Sequence, residues 1–245
     1  MQIGIIGSGG MGRCLASTFV RAGHRVSIAN SRGPDSLQPF ARSIGAEAVD
    51  TAAAIKNKQL IVVSIPQKNI PDLPAQLFQQ LPEDTVVIDT GNYYPTLRDG
   101  IIPALEKTGI DSWWVQEQLG FPVVKVFNSI LADSIQELGK PAGDKDRIAI
   151  AVSGGGAVQK EMVFNLVNEM GFDAVDLGTI AQSWKQQPGS AIYCRDIVSS
   201  IVKQRVAAMG DNWNEMRDAV LAKRRADEAI MKADYPAYLK QLKAT

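Results

Sequence analysis

The chain has 245 residues, 26 basic side chains against 26 acidic ones, and 45% apolar residues, which is room for one domain of ordinary size and a modest extension. Balanced charge gives no argument for a nucleic-acid or anionic-membrane partner, and no stretch approaches the roughly 18 apolar residues of a membrane span. Two distant cysteines, Cys14 and Cys194, and a single histidine, His24, speak against a metal site and point to a reducing, cytoplasmic setting.

The elements alternate. An apolar run at Ile3, Gly4, Ile5 and Ile6 reads as a buried strand, with no leader peptide expected before it. A helix with Leu15, Ala16, Phe19 and Val20 on one face follows and stops at Gly23. Residues 25–29 read as a strand, 35–43 as a helix, 46–49 as a short extended piece and 51–56 as a helix. Residues 60–66 are continuously apolar rather than alternating, the mark of a strand buried on both faces. Pro66 and Pro71 break it into a loop and a helix reaching Gln80. Residues 85–89, 123–127 and 148–152 supply further strands. From Pro188 the character changes to two helices, 196–209 and 212–243, separated by Gly210. The pattern predicts an α/β, Rossmann-type, doubly wound and mostly parallel sheet over residues 1–187, with a helical extension over 188–245. That extension is too thin to form its own core, so it packs on the domain or on a second subunit, and a homodimer through it is expected.

The junction of the first strand and helix carries the chemistry. Gly7, Ser8, Gly9, Gly10, Met11 and Gly12 spell the dinucleotide fingerprint G-x-G-x-x-G between a strand and a helix. Gly7 suits the tight turn, Gly9 the approach of a pyrophosphate and Gly12 close helix–sheet packing, while the helix N-terminus offers free N–H groups to the phosphates. The second strand ends in Asn30, Ser31 and Arg32, where an NAD site would hold a carboxylate for the ribose 2′-hydroxyl. With no carboxylate there, and with Ser31 and Arg32 suited to a 2′-phosphate, the expected cofactor is NADP(H). One charge-assisted bidentate contact predicts a preference of roughly 10- to 150-fold over NADH.

In open α/β sheets the ligand lies beyond the carboxyl ends of the strands. That rule selects Ser64, Ile65 and Pro66 beside the nicotinamide ribose and pyrophosphate, and Asn92, Tyr93, Tyr94 and Asn128 near the nicotinamide and its acceptor. Asn128 and Tyr93 are the candidates for contacts at the reacting ring, with Asn92 beside them. Ser153-Gly154-Gly155-Gly156 reads as a strand-to-helix turn rather than a second phosphate loop. His24 falls in a turn at the far end of its strand, so no histidine is available as a general acid. Asp89 and Lys125 fall inside strands, and no Ser-Tyr-x-x-x-Lys arrangement exists.

Taken together, the fingerprint with Asn30-Ser31-Arg32, the Val63-Ser64-Ile65-Pro66 loop, residues 124–128 and residues 170–178 resemble the NADP-dependent coenzyme F420 oxidoreductases. That family includes bacterial NADPH-binding relatives and, remotely, the cytoplasmic domain of the STEAP metalloreductases. The resemblance implies hydride transfer between NADP(H) and a flavin or 5-deazaflavin. It also implies 2′-phosphate binding by Ser31 and Arg32, and a nicotinamide held against the loop of Ser64 to Pro66. The chain departs from the family in its charged tail and in residues 92–120, which look like an insertion and bear on the acceptor.

The expectation is therefore an NADPH-dependent oxidoreductase passing hydride to a small redox acceptor, a flavin, F420 or another conjugated molecule. Two alternatives stay open. One is reduction of a small carbonyl or imine with Tyr93, Tyr94 or Lys125 donating the proton; the other is a non-enzymatic NADP(H)-binding redox sensor.

Overall fold

A computed structural model describes residues 1–244, with side chains through Leu242. In chain order the first half contains β1 (Gln2–Ile6), α1 (Gly10–Arg21), β2 (Arg25–Ala29), α2 (Gln38–Ile44), β3 (Glu47–Ala48), α3 (Thr51–Ile55), β4 (Leu60–Val63), α4 (Ala75–Gln79) and β5 (Val86–Asp89). Then come α5 (Pro103–Thr108), α6 (Asp111–Leu119), β6 (Val124–Lys125), α7 (Ala132–Glu137), β7 (Ala149–Gly154), α8 (Ala157–Glu169), β8 (Asp173–Asp176), α9 (Ser199–Met209), α10 (Trp213–Ala233) and α11 (Tyr235–Ala244). Short 3-10 turns precede α2 and α4, and another, Ile180–Gln186, follows β8. No helix among the described residues is long and apolar enough to cross a membrane.

The eight strands form one sheet in the order β3-β2-β1-β4-β5-β6-β7-β8. The first six run parallel, β7 pairs antiparallel with β6, and β8 runs parallel to β7. Strand β4 is fully buried along its length, as a central parallel strand with helices on both faces requires. One face is covered by a core containing Leu15, Phe19, Phe127 and Phe172, the other by a core containing Phe78, Tyr93 and Trp114. The strand order reverses at β1, with β2 and β3 added on one side and β4 onward on the other. That switch point opens a crevice at the carboxyl ends of the strands.

The tail differs from expectation in one respect. Residues 212–243 are not one helix: α10 stops at Asp234, which is extended at φ −155°, and α11 begins with Tyr235 and Pro236. Proline lacks the N–H that a continuing helix needs and is tolerated only in the first turn of a helix, where it stands here. Asp234 Oδ1 instead accepts from Ala237 N at 2.9 Å and starts a new helix.

The tail helices find their cover on their own chain. Val202 of α9 packs with Ala149, Ala151 and Val175 of the last two strands. Trp213 of α10 lies against Trp184, ring centres 5.2 Å apart, and its indole N–H donates to Thr108 O at 3.0 Å. Two charged groups of α10 are buried against the 92–120 segment. Arg224 pairs with Asp111 at 3.0 Å, their side chains 2% and 1% exposed. Glu228 Oε2 accepts from Thr96 N, Thr96 Oγ1 and Leu97 N at 2.7, 2.6 and 2.9 Å. Removing one member of a buried pair strands the other charge, which costs about 3–5 kcal/mol. Asp111→Ala should therefore lower unfolding stability by about that amount in urea titration; a loss below about 1 kcal/mol would show that Arg224 finds water or another partner.

Candidate functional site

A cleft of about 780 Å³ runs along the carboxyl ends of the strands. Its first end is built by the loop between β1 and α1. Gly7 has φ +116° and lies against the backbone of Ser64; a Cβ there would sit 2.1 Å from Ser64 O. A Cβ on Gly12 would sit 2.1 Å from Gly7 O, so helix and turn close on each other only without side chains. Gly9 and Gly10 are exposed and face open space, with nothing within 4 Å of a would-be Cβ. Gly9 is the N-cap of α1, with no side-chain cap and no acidic residue in the first turn. The uncapped N–H groups and the partial positive charge of the helix end face the cleft.

Asn30, Ser31 and Arg32 form the next part of the lining, with Thr51. The Asn30 amide donates to Ser8 Oγ at 3.2 Å and accepts from Arg32 N at 2.9 Å, tying the two loops together. Ser31 and Arg32 are exposed, and the Arg32 guanidinium has no protein partner among the described residues. No carboxylate lies on β2's end to repel a 2′-phosphate. Ser64, Ile65 and Pro66, half-buried at the end of β4, line the middle of the cleft. These residues fit a dinucleotide with an extra ribose phosphate: an open glycine backbone for the diphosphate and a free guanidinium for the monophosphate.

The far end is lined by Asn92, Tyr94, Arg98, Asn128, Ile130, Leu131 and three residues of the tail, Tyr193, Cys194 and Tyr235. Asn92 and Asn128 are in the lining as the sequence suggests, but their amides are already engaged. Asn128 Nδ2 donates to Asn92 Oδ1 at 3.1 Å and to Gln186 O at 2.7 Å, and its Oδ1 accepts from Gln186 Nε2 at 2.8 Å. Asn92 Nδ2 donates to Asn128 O at 3.0 Å and to Tyr193 OH at 3.2 Å. The two amides brace the wall. Tyr94 and Tyr193 touch hydroxyl to hydroxyl, and the Arg98 guanidinium lies 5.3 Å from the centre of the Tyr94 ring. Burial holds the Tyr94 and Tyr193 phenols well above their ordinary range and pushes the Cys194 thiol up to about 12. Both phenols and the thiol are therefore neutral near pH 7.

Two sequence expectations are corrected here, for Tyr93 and Lys125. Tyr93 does not reach the cleft. It is fully buried in the opposite core, with its hydroxyl donating to Gly100 O at 3.1 Å and accepting from Ile102 N at 2.9 Å. Lys125 is no proton donor to a substrate: it is fully buried, 3.0 Å from Asp89, and its ammonium also reaches Gly91 O. Asp89 in turn accepts from Ser112 Oγ and Gly91 N, each at 2.7 Å, so this ion pair supports the floor beneath Gly91. His24 sits at the far end of β2, 3.1 Å from Glu169. Ser153 to Gly156 lie outside the cleft; Gly154 and Gly155 turn with positive φ and Gly156 caps α8. Tyr193, Cys194, Tyr235 and Arg98 carry no motif that sequence reading could have flagged.

Residues 2–93 match the family described as NADP oxidoreductase, coenzyme F420-dependent. The match covers the glycine loop, the Asn30–Arg32 turn and the Ser64–Pro66 loop, and with the cleft's open arginine it gives the cofactor as NADP(H). A hypothetical protein of Sinorhizobium meliloti has a solved structure that is 27% identical, with a TM-score of 0.65 over 81% of this chain and 96% of its own. A candidate F420-dependent NADP-reductase of Arthrobacter sp. FB24 is 24% identical, with a TM-score of 0.60 over 75% and 87% of the two chains. An imine reductase of Myxococcus stipitatus in complex with NADP+ is 19% identical, with a TM-score of 0.52. It covers 97% of this chain and 73% of its own, a likeness of fold that includes the helical tail. Among curated proteins, YjhV of Escherichia coli (strain K12) is 45% identical over 56 residues, a stretch that spans 23% of this chain and 41% of YjhV.

Arg32→Ala should weaken NADPH roughly 10- to 150-fold, the loss of one charge-assisted contact, and leave NADH nearly unchanged. Fluorescence titration of both cofactors checks it; equal affinity of the unaltered protein for the two would contradict the role of Arg32.

Proposed function

We propose that the chain is an NADPH-dependent reductase that passes hydride to a small conjugated acceptor held at the tyrosine end of the cleft. The observation that carries this reading is continuity. The lining that begins at Gly7 and Arg32 runs on to Tyr94, Tyr193 and Tyr235, so one cleft accepts a dinucleotide and leaves a space with aromatic and aliphatic walls beyond it. NADPH, when bound, supplies a hydride to the acceptor. The chain's own part is to grip the phosphates at the glycine loop and Arg32 and to hold Ser64 to Pro66 along the centre of the cleft. At the far end it offers Tyr94, Tyr235, Ile130 and Leu131 to an acceptor.

A flavin or deazaflavin such as F420 is the leading acceptor, supported by the family match and by the aromatic walls. Reduction of a small carbonyl or imine is a second reading, and the paired hydroxyls of Tyr94 and Tyr193 favour it. The redox-sensor alternative has no comparable support, because a sensor has no need of a lined space beyond the nucleotide. The two buried, unpaired cysteines support a reducing, cytoplasmic setting.

NADPH oxidation against F420, FMN, FAD, a quinone series, a cyclic imine and a small ketone is the test. Turnover with at least one of them, at typical enzyme rates of about 1 s⁻¹ or more, is the expected outcome. NADPH that binds tightly yet is oxidised by none of them would refute the reading.

A further inference from the structure

The chain has one histidine, and it lies away from the cleft, so any proton that an acceptor needs has to come from another group. Tyr94 and Tyr193 share a hydrogen bond between their hydroxyls, and Asn92 Nδ2 donates to the Tyr193 oxygen at 3.2 Å. The orientation of Asn92 is fixed, because its Nδ2 also faces the Asn128 carbonyl, which can only accept, and its Oδ1 accepts from Asn128 Nδ2. Asn92 is therefore a donor to Tyr193 and takes up no phenolic proton.

The proton count follows. Two phenols bring two O–H donors, and the bond between them uses one. If Tyr193 donates to Tyr94, the Tyr94 proton is left; if Tyr94 donates to Tyr193, the Tyr193 proton is left. In the first arrangement the Tyr94 O–H has no protein acceptor among the described residues; in the second the Tyr193 O–H faces only the Cys194 sulfur, a weak acceptor. Both side chains line the far end of the cleft. A donor left without a strong protein acceptor at the wall of the cleft is free to meet an acceptor atom of a bound molecule.

We infer that this leftover phenolic proton of the Tyr94–Tyr193 pair is the donor to the acceptor's heteroatom, the atom on which negative charge collects as the neighbouring conjugated carbon takes hydride from NADPH. The inference rests on the reductase reading above and narrows it. The acceptor belongs to the class with a C=O or C=N group, alone or at the end of a conjugated system, whose oxygen or nitrogen is protonated on reduction. In the balanced step the hydride's electron pair forms the new C–H bond and the C=X π pair moves to the heteroatom X. The phenolic O–H breaks and X–H forms. The phenolate left behind is held by a charge-assisted hydrogen bond from the other tyrosine, with the Arg98 guanidinium beside the Tyr94 ring, and a water proton at the open mouth of the cleft restores the phenol. The groups facing the pair are Cys194, Tyr238 and Arg98; burial keeps both phenols protonated across the neutral range.

Because either phenol alone retains an O–H, the signature is non-additive. The double variant Tyr94→Phe/Tyr193→Phe should lower turnover of the best acceptor in the panel by about 10²- to 10⁴-fold, the usual weight of a general acid. Tyr193→Phe alone, which frees Tyr94 from the anchor on Asn92, should lower it about tenfold. A second readout needs no turnover: calorimetric titration of riboflavin and of 2-methyl-1-pyrroline into the NADP+-loaded protein. The double variant should bind the accepted probe about two- to tenfold more weakly, with NADPH affinity unchanged within twofold. Thermal unfolding of both variants identifies loss of fold. Turnover of a folded double variant within threefold of wild type would overturn the inference while leaving the reductase reading intact. So would equal probe binding by wild type and the folded double variant. Absence of any turnover by wild type would refute the reductase reading, and the pair would then stand or fall on the calorimetry.

Discussion

Arg224 and Glu228 sit one turn apart on α10, both almost wholly withdrawn from water, and each is tolerable there only while its partner in the 92–120 segment stays in place. Arg224 meets Asp111, whose other oxygen accepts from Tyr93 N at 3.2 Å. Glu228 collects the N–H groups of Thr96 and Leu97. These contacts fasten the helical tail to the loop after β5, and that loop carries Asn92, Tyr94 and Arg98 to the cleft. Buried charges of this kind contribute little net stability compared with an apolar replacement, but they are unforgiving of misplacement. Their effect is to fix which part of the tail stands over which part of the sheet.

The consequence is a composite site. The nucleotide end is made wholly by β1, β2 and β4 and the turns they feed, a local construction of the kind that the Rossmann topology provides in many enzymes. The far end is made by residues far apart in the chain: Asn92, Tyr94 and Arg98 from the 92–120 segment, Asn128 after β6, and Tyr193, Cys194 and Tyr235 from the tail. Fold likeness therefore speaks for the first end and says little of the second. The family match has the same reach, since it stops at residue 93.

What could be read from the sequence divides along the same line. The fingerprint and the Asn30–Arg32 turn were legible because strand, glycine turn and helix are neighbours in sequence, and each glycine has a local steric reason: Gly7 meets Ser64, and Gly12 meets Gly7. The alternation of strands and helices was legible for the same reason. Tyr93 and Tyr94 were read together, but consecutive residues of an extended segment point to opposite sides; one faces the core and the other the cleft. Tyr193 was invisible because it lies in irregular chain after the Ile180–Gln186 turn, and only long-range bonds to Asn92 and Tyr94 bring it to the site. The break between α10 and α11 was signalled by Pro236, which a reading by composition passed over.

The central claim is that one cleft serves two ligands, the nucleotide at the glycine loop and the acceptor at a wall shared by the 92–120 segment and the tail. Amide hydrogen exchange tests this most directly. NADP+ alone should protect residues 7–12, 30–32 and 64–66, and an acceptor added to that complex should extend protection to 92–98, 190–195 and 235–238. Protection of the tail segments by acceptor with no change in the glycine loop on adding NADP+, or protection confined to residues 1–91 when both are present, would contradict it.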